Sequence, residues 1–178
     1  MEATEIFNGV KCIQPRTFFD DRGFFYEFYR KSLYADLGIT CEFVQDNHSF
    51  SKKGTIRGMH FQHSPGQAKL VSVIEGTILD VVLDIRKESP TFGEWKEILL
   101  DAKDFRQLFV PIGFAHGFAV LSDEAHVFYK VSHGFDPEQE KTIRYNDEDL
   151  KIPWPFDAPL ISDRDRTAPG FREVMQCI

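Results

Sequence analysis

The sequence predicts an all-β fold, a sandwich or barrel of short strands. Apolar segments are short and are separated by Gly, Pro, Asn and Asp along most of the chain, a pattern typical of such folds. In TILDVVLDIR (77–86), Leu79 and Val81 share one face while Ile78 and Asp80 share the other. Aromatic residues make up 14% of the chain, and 18 of them are Phe, which indicates a β-rich core or an aromatic-lined pocket.

The first half of the chain supplies strands and one helix. KSLYADLG is predicted as a short helix that ends at Gly38. Segments 67–76 and 77–86 are expected to pair as a hairpin through Glu75-Gly76. Three earlier strands are predicted over 24–30, 42–50 and 55–61.

The second half continues this pattern and then changes. SPTFGEW is a predicted turn, Pro111 and Gly113 mark a corner, and Asp123-Glu124 separates the last two strands. The final third is rich in proline with aromatic residues among the prolines, so we expect ordered coil wrapped over a barrel mouth. The strands of this half are predicted over 95–101, 106–110, 114–122 and 125–132.

The totals favour one compact domain that covers residues 1–178. With 21 basic and 28 acidic residues the net charge is −7, which disfavours nucleic acid as a partner but allows a local arginine cluster to bind a small anion. No polybasic run and no apolar run long enough to cross a bilayer is present, so we expect no membrane partner.

Cysteine usage and the first residues predict a cytoplasmic location. Cys12, Cys41 and Cys177 are few, odd in number and without CxxC spacing, as expected of ordinary thiols in a reducing compartment. The first ten residues, MEATEIFNGV, lack a basic stretch followed by an apolar one, so they do not resemble a signal peptide.

Ionisable residues repeatedly interrupt strands that are otherwise apolar. Buried charges are unfavourable unless they are paired, so these residues indicate either a salt-bridged core or a functional site. They are Arg57 and His60 in GTIRGMHFQ, Lys69, Asp80, Asp84, His116, Tyr129 and Lys130.

Arg57 and His60 pose a geometric problem because they are three residues apart. On an unbroken strand they would face opposite sides. Gly58 between them favours a bulge that re-aims one side chain. The alternative is an edge strand with one face in water.

The other chemistry in these strands is of the acid–base kind. His116 is either a hydrogen-bonded core residue or part of a site, and the small residues beside it leave room for a ligand. His60 and His63 do not have the H-x-H spacing that a β-barrel metal site would use, so no metal site is predicted. Nucleophile elbows, P-loops and dinucleotide motifs are absent. His, Tyr, Asp and Lys remain as candidate acids and bases.

Nine motifs, in order, resemble the dTDP-4-dehydrorhamnose 3,5-epimerase family of the cupin superfamily, from about Arg16 to Phe171. The resemblance implies a cupin-type jelly roll, a homodimer, and no metal or organic cofactor. The motifs are FFDDRGFFYE, FVQDNHSFS, TIRGMHFQ, QAKLVSVIEGTILDVVLDIR, SPTFGEW, PIGFAHGF, YKVS, PEQEKTIRYND and ISDRDRTAPGF.

The reaction that the resemblance implies suits these residue types. The substrate is a dTDP-linked 4-keto-6-deoxy sugar, whose C4 carbonyl acidifies the protons at C3 and C5. A base removes a proton to leave an enolate, and an acid returns one from the other face. By resemblance His60 is the base, Asp165 its carboxylate partner, Tyr129 the acid, and Lys69 the group beside the sugar carbonyl. His116 and Asp80 match a second pair that lines the sugar pocket, although Asp80 could equally be a buried structural acid.

The resemblance also implies a nucleotide-binding end. Arginines suit the diphosphate because a guanidinium binds phosphate in a bidentate manner; for Arg22 alone, a salt bridge in a surface turn is the alternative. At Phe135 the family often has Tyr or Trp, so stacking on the base is kept while a side-chain hydrogen bond is lost. The substrate-binding residues implied are Arg22, Phe25, Glu27, Gln45, Asn47, Arg57, Phe135, Glu140 and Arg164.

Other functions stay open at this point. The leading prediction is inversion at both C3 and C5, in dTDP-L-rhamnose synthesis. The alternatives are inversion at C3 only, epimerisation of another nucleotide-linked 4-keto-deoxysugar, and a 3,4-ketoisomerase. Outside this class, a non-catalytic sugar-binding cupin would lack the base or the acid, and a cupin dioxygenase would need a metal-ligand triad.

Overall fold

The computed structural model describes residues 1–178 and confirms the all-β class. Three short helices, α1 (Lys31–Asp36), α2 (Asp163–Arg166) and α3 (Phe171–Gln176), and one 3-10 turn (Ala102–Asp104) accompany the strands. The strands are β1 (Glu2–Phe7), β2 (Val10–Gln14), β3 (Thr17–Asp20), β4 (Gly23–Tyr26), β5 (Gln45–Lys52), β6 (Ile56–Gln62), β7 (Lys69–Glu75), β8 (Thr77–Asp84), β9 (Trp95–Asp101), β10 (Gln107–Val110), β11 (Phe114–Val120), β12 (Glu124–Val131) and β13 (Glu140–Thr142).

Two antiparallel sheets pack face to face around the main core, as expected for a jelly roll. One has six strands in the order β1-β2-β10-β7-β12-β5, and the other has five in the order β13-β6-β11-β8-β9. Val71 and Val73 from the first sheet meet Val82, Phe114 and Phe118 from the second in one buried cluster. Strands β3 and β4 form a separate hairpin.

The hairpin predicted at Glu75-Gly76 is wrong, because β7 and β8 belong to different sheets. Gly76 is instead the corner at which the chain crosses between them. Its φ is +84°, and a Cβ there would lie 2.2 Å from the carbonyl oxygen of Glu124, so glycine is required. Strand β8 pairs with β9, with Leu83 opposite Trp95.

The predicted strands at 24–30 and 42–50 have different bounds in the structure, where β4 ends at Tyr26 and β5 begins at Gln45. The chain between β4 and β5 forms no strand and packs on the outer face of the six-stranded sheet. There the buried Tyr34 hydroxyl donates a hydrogen bond to Gln107. The predicted helix is confirmed as α1, and Gly38 follows it with φ +81°.

The C-terminal segment covers a sheet face rather than a barrel mouth, which corrects that prediction. Ile143, Leu150 and Phe171 belong to a buried cluster with Phe61 and Val81 on the outer face of the five-stranded sheet. The physical reason is that both faces of this sheet are apolar, so the outer face needs a cover. This cover delivers Asp165 to the edge of β6.

The bulge predicted in β6 is confirmed. His60 is paired with His116 and Arg57 with Phe118, so Gly58 and Met59 of β6 lie opposite the single residue Gly117 of β11. Gly58 lies against the neighbouring strand, where a Cβ would be 2.5 Å from the Cα of Gly117. As a result Arg57 and His60 both lie opposite inward-facing residues of β11.

Candidate active site

His60 is hydrogen-bonded to Asp165, the carboxylate that the family resemblance assigned to it. The Nε2 of His60 lies 2.6 Å from Oδ1 of Asp165. The Asp165 side chain is buried, whereas a quarter of the His60 side chain is exposed. Burial alone would raise the pKa of Asp165, but the hydrogen bond from His60 and that from the Gly58 amide hold it below its usual value. The carboxylate therefore remains charged and stabilises a protonated imidazole.

Ser162 fixes the position of Asp165. It precedes α2, and its hydroxyl accepts a hydrogen bond from the Asp165 amide at 3.1 Å. This is N-capping, which satisfies an amide that the first helical turn leaves free. Ser162 was not among the predicted site residues, although the SDRD run has the S-x-x-D spacing of a capping motif. That spacing is the sequence signal that could have identified it.

A second histidine–carboxylate pair lies deeper between the sheets. His116 Nε2 is 2.8 Å from Oδ2 of Asp80, and both side chains are buried. Burial raises the pKa of Asp80, and His116 and Lys69 oppose this rise. The other carboxylate oxygen of Asp80 is buried without a partner. Asp80 is thus a buried acid that holds His116 through one oxygen and keeps the other without a partner.

Lys69 lies beside the first pair. Its ammonium donates a hydrogen bond to the carbonyl of His60 at 3.3 Å. Burial lowers its pKa to about 8, although Glu140 and Asp80 act in the opposite direction. Lys69 is therefore a cation with few fixed partners, placed where it can stabilise a developing negative charge.

Tyr129 comes from the six-stranded sheet, and its side chain points into the core between the two sheets. It packs against the inter-sheet core and lies opposite Asn47 on β5. Burial, followed by the influence of Glu140, raises the pKa of its phenol. Tyr129 is therefore a neutral proton donor at ordinary pH. Candidate base and candidate acid thus come from facing sheets.

Two arginines lie at the open end of the space between the two sheets. Arg57 donates a hydrogen bond to Ser51 Oγ at 2.9 Å. Arg164 is paired with Glu140 at 2.7 Å and donates to Thr142 Oγ1 at 2.8 Å. Ser51 and Thr142 were not predicted, since no sequence pattern marks a hydroxyl that orients a guanidinium. A cavity of about 390 Å³ adjoins this end, with Arg57, His60, Arg164 and Asp165 in its wall.

Gln45, Asn47 and Phe135 lie together on the β5 side. Gln45 Nε2 donates to Asn47 Oδ1 at 2.8 Å, and Gln45 Oε1 accepts from the Phe135 amide at 3.0 Å. Phe135 itself is 57% exposed. These three residues were predicted as substrate contacts, and the structure brings them together.

Arg22, Phe25 and Glu27 contact other residues. Arg22 is exposed and forms its ion pair with Asp20 in the β3–β4 turn, as the surface-turn alternative expected. Phe25 is exposed on the same hairpin, and Glu27 pairs with Arg30. Within one chain, none of these contacts connects Arg22, Phe25 or Glu27 to His60 and Asp165.

Two further observations concern metal and membrane. The structure contains no group of three or more His, Cys, Asp or Glu side chains arranged to hold a metal ion. None of its helices has the length and apolar character needed to cross a membrane.

Comparison with known proteins assigns this architecture to a family. Residues 4–173 match the family model described as dTDP-4-dehydrorhamnose 3,5-epimerase. A Pseudomonas aeruginosa relative of that name is 46% identical over 177 residues, which cover 98% of both chains.

Solved structures agree with the family match. The Bacillus anthracis dTDP-4-dehydrorhamnose 3,5-epimerase, with TDP and PPi bound, superposes with a TM-score of 0.93 at 47% identity, covering 96% of this chain and 99% of that one. A Legionella pneumophila 3,5-epimerase in complex with dTDP-4-keto-L-rhamnose gives 0.92 at 43% identity, covering 96% and 93%. This chain, with its two-sheet jelly roll and its two histidine–carboxylate pairs, belongs to the dTDP-4-dehydrorhamnose 3,5-epimerase family of carbohydrate epimerases.

Proposed function

We propose that this enzyme inverts C3 and C5 of dTDP-4-keto-6-deoxy-D-glucose to give dTDP-4-keto-L-rhamnose. The observation that carries the proposal is the origin of His60 and Tyr129 on facing sheets. Inversion requires a proton to leave from one side of the sugar ring and another to arrive from the other side. A base and an acid that face each other across the inter-sheet space meet this requirement.

The reaction divides between four side chains. His60 takes a proton from the carbon next to the C4 carbonyl, and the C–H electron pair moves into an enolate. Asp165, 2.6 Å from His60 Nε2, stabilises the imidazolium that forms. The ammonium of Lys69 stabilises the enolate oxygen. Tyr129 delivers its proton to the opposite face, and exchange with solvent resets both groups, so the proton balance requires no redox cofactor.

The nucleotide occupies the open end of the site. Arg57 and Arg164 neutralise the diphosphate, while His116 and Asp80 line the sugar pocket. Arg164 must exchange its ion pair with Glu140 for the phosphate, which frees that carboxylate for a polar contact with the substrate. Gln45 and Asn47 offer amides at the base side, and Phe135 offers a ring on which the thymine stacks.

We further propose that the enzyme is a homodimer in which the β3–β4 hairpin of each chain completes the active site of its partner. Four phenylalanines of this hairpin, Phe18, Phe19, Phe24 and Phe25, are at least half exposed. Phe18 and Phe25 are paired on one face of the hairpin, and Phe19 and Phe24 are paired on the other. Exposed apolar surface of this kind marks an interaction surface. The partner's pocket is the fitting position because it would unite Arg22 and Phe25 with the other predicted substrate contacts.

Co-expression of two inactive variants tests the dimer. In a mixed dimer of His60→Ala and Arg22→Ala chains, the pocket of the Arg22→Ala chain would receive the intact hairpin of its partner. One site per dimer would then be wholly wild type, and activity would return. Failure of the purified mixed dimer to recover activity would place Arg22 outside the partner's site. A monomer with full activity would overturn the dimer itself.

The function is tested by incubating the enzyme with dTDP-4-keto-6-deoxy-D-glucose in deuterated water and reading C3 and C5 by NMR. We expect deuterium at both carbons together with the inverted product. Deuterium at C3 alone would replace the proposal with a monoepimerase. Deuterium at neither carbon would reject this substrate.

A further inference from the structure

Gln62 is a buried polar residue for which the proposed reaction has no role. It ends β6, two residues after His60, so the two side chains point to the same side of the strand. Its side chain is buried, with only 6% of the residue exposed. Buried polar groups in folded proteins are hydrogen-bonded, so the hydrogen-bond partners of the Gln62 amide indicate its role.

These partners belong almost entirely to the segment that carries Phe135. Gln62 Nε2 donates to the carbonyl of Gly134 at 3.2 Å, and Gln62 Oε1 accepts from the amide of Asp136 at 3.0 Å. The side-chain amide of Gln62 is therefore hydrogen-bonded to the backbone on both sides of Phe135. Gln67 reinforces it by donating to both Gln62 Oε1 and the carbonyl of His133.

Phe135 is held from the other sheet as well. Its own amide donates to Gln45 Oε1 at 3.0 Å. Three consecutive residues, 134 to 136, are thus anchored through their backbone to β6 and β5, while Phe135 as a residue is left 57% exposed. A fixed backbone with an exposed ring is the arrangement expected when the ring itself is a contact surface.

We propose that Gln62 is a positioning residue for nucleotide recognition: it holds segment 133–136 so that Phe135 presents its ring to the base. The inference rests on the proposed function, in which Phe135 stacks on the thymine. It adds that one strand, β6, positions residues at both the sugar end and the nucleotide end of the site. His60 of this strand acts on the sugar, and Gln62 places the aromatic wall for the nucleotide.

The variant Gln62→Met tests the proposal because it keeps the volume of the side chain and removes its hydrogen bonds. We expect the dissociation constant for dTDP and the KM for the sugar nucleotide to rise about tenfold, the range of one base–aromatic stacking contact, with kcat within about twofold. Gln14→Met is the control, since Gln14 is exposed and its side chain donates a hydrogen bond to the carbonyl of Asp104. Gln62→Glu, which keeps the acceptor for Asp136 but loses the donor to Gly134, should give an intermediate affinity and serves if Gln62→Met does not fold.

A double-variant cycle with Phe135→Ala separates positioning from general stability. If Gln62 acts through the ring, Phe135→Ala alone weakens dTDP binding and adding Gln62→Met has little further effect. Additive losses, an unchanged dTDP affinity in Gln62→Met, or a fall in kcat as large as the rise in KM would each overturn the proposal. Failure of the proposed function is distinct, because it would appear in the wild-type enzyme as absence of deuterium at C3 and C5.

Discussion

His60 Nε2 lies 2.6 Å from Asp165 Oδ1, although 105 residues separate the two in the chain. The strand supplies the imidazole, and the C-terminal cover of the five-stranded sheet supplies the carboxylate. A further hydrogen bond runs from the Gly58 amide to the second Asp165 oxygen at 3.4 Å. The bulge that turns His60 inward is therefore tied to the same carboxylate that orients it.

Replacement Asp165→Asn should lower kcat by about 10²-fold or more, because general acid–base catalysis contributes about 10²–10⁴-fold and the amide cannot stabilise the imidazolium. The rate of deuterium entry at C3 and C5 measures this effect. His60→Ala should abolish that entry completely. Turnover that is unchanged in His60→Ala would contradict the assignment of the base.

Tyr129→Phe should impair proton return more than proton removal. The phenol is the proposed donor, and the burial that raises its pKa keeps it protonated. We therefore expect deuterium to enter substrate that keeps its original configuration, while the inverted product forms at least about 10²-fold more slowly. Equal loss of exchange and inversion would argue against a separate acid.

Activity should fall on the alkaline side as Lys69 loses its proton. Burial lowers its pKa to about 8, despite the charges of Glu140 and Asp80, so the ammonium that stabilises the enolate is largely lost by pH 9. Tyr129 does not explain such a fall, because its pKa is raised. A pH profile of kcat should decline about tenfold per unit above pH 8. Lys69→Arg, which stays charged, should be less active but lack this decline.

Gly58→Ala should destabilise the fold and remove activity. Its φ is +132°, and the new Cβ would lie 2.5 Å from Gly117 Cα and 3.0 Å from the His116 carbonyl. Gly54→Ala is a suitable control, since its φ is +82° and nothing lies within 4 Å of its Cβ position. By urea denaturation we expect a loss of about 1 kcal/mol at Gly54 and about 3 kcal/mol or more at Gly58. Equal losses would show that the strand contact is unimportant.

Asp84 should be a source of acid sensitivity away from the site. It is buried and accepts hydrogen bonds from Arg86, Ser89 and Thr91. Burial alone would raise its pKa, but these bonds together hold it well below the usual value. The stabilisation is therefore present above the unfolded pKa of about 4 and is lost as the pH falls through the lower folded value.

Asp84→Asn should lower the free energy of unfolding at pH 7 by about 3 kcal/mol and flatten its dependence on pH below 4. Denaturation between pH 7 and pH 3 measures both effects. A variant that loses stability on acidification as steeply as the wild type would contradict this role.

The local chemistry of the chain could be predicted from its sequence to a large extent. The alternation within β8, the bulge at Gly58 and the turn before β9 agree with the predictions, because each depends on neighbours in the chain. The hairpin at Glu75-Gly76 was wrong because a glycine turn between two strands does not reveal whether they share a sheet. That choice is made by the packing of apolar faces from distant strands.

The all-β class, the family and the residue types available for proton transfer can be inferred from the sequence, since they depend on local pattern and on motifs. Which of these residues meet depends on the folded chain. The tertiary structure joined His60 to Asp165 and His116 to Asp80, placed Tyr129 on the facing sheet, and left Arg22 and Phe25 on an exposed hairpin. The physical reason is that such pairings arise from the burial of two sheets against each other and of the C-terminal cover against one of them, and burial acts between residues far apart in the chain.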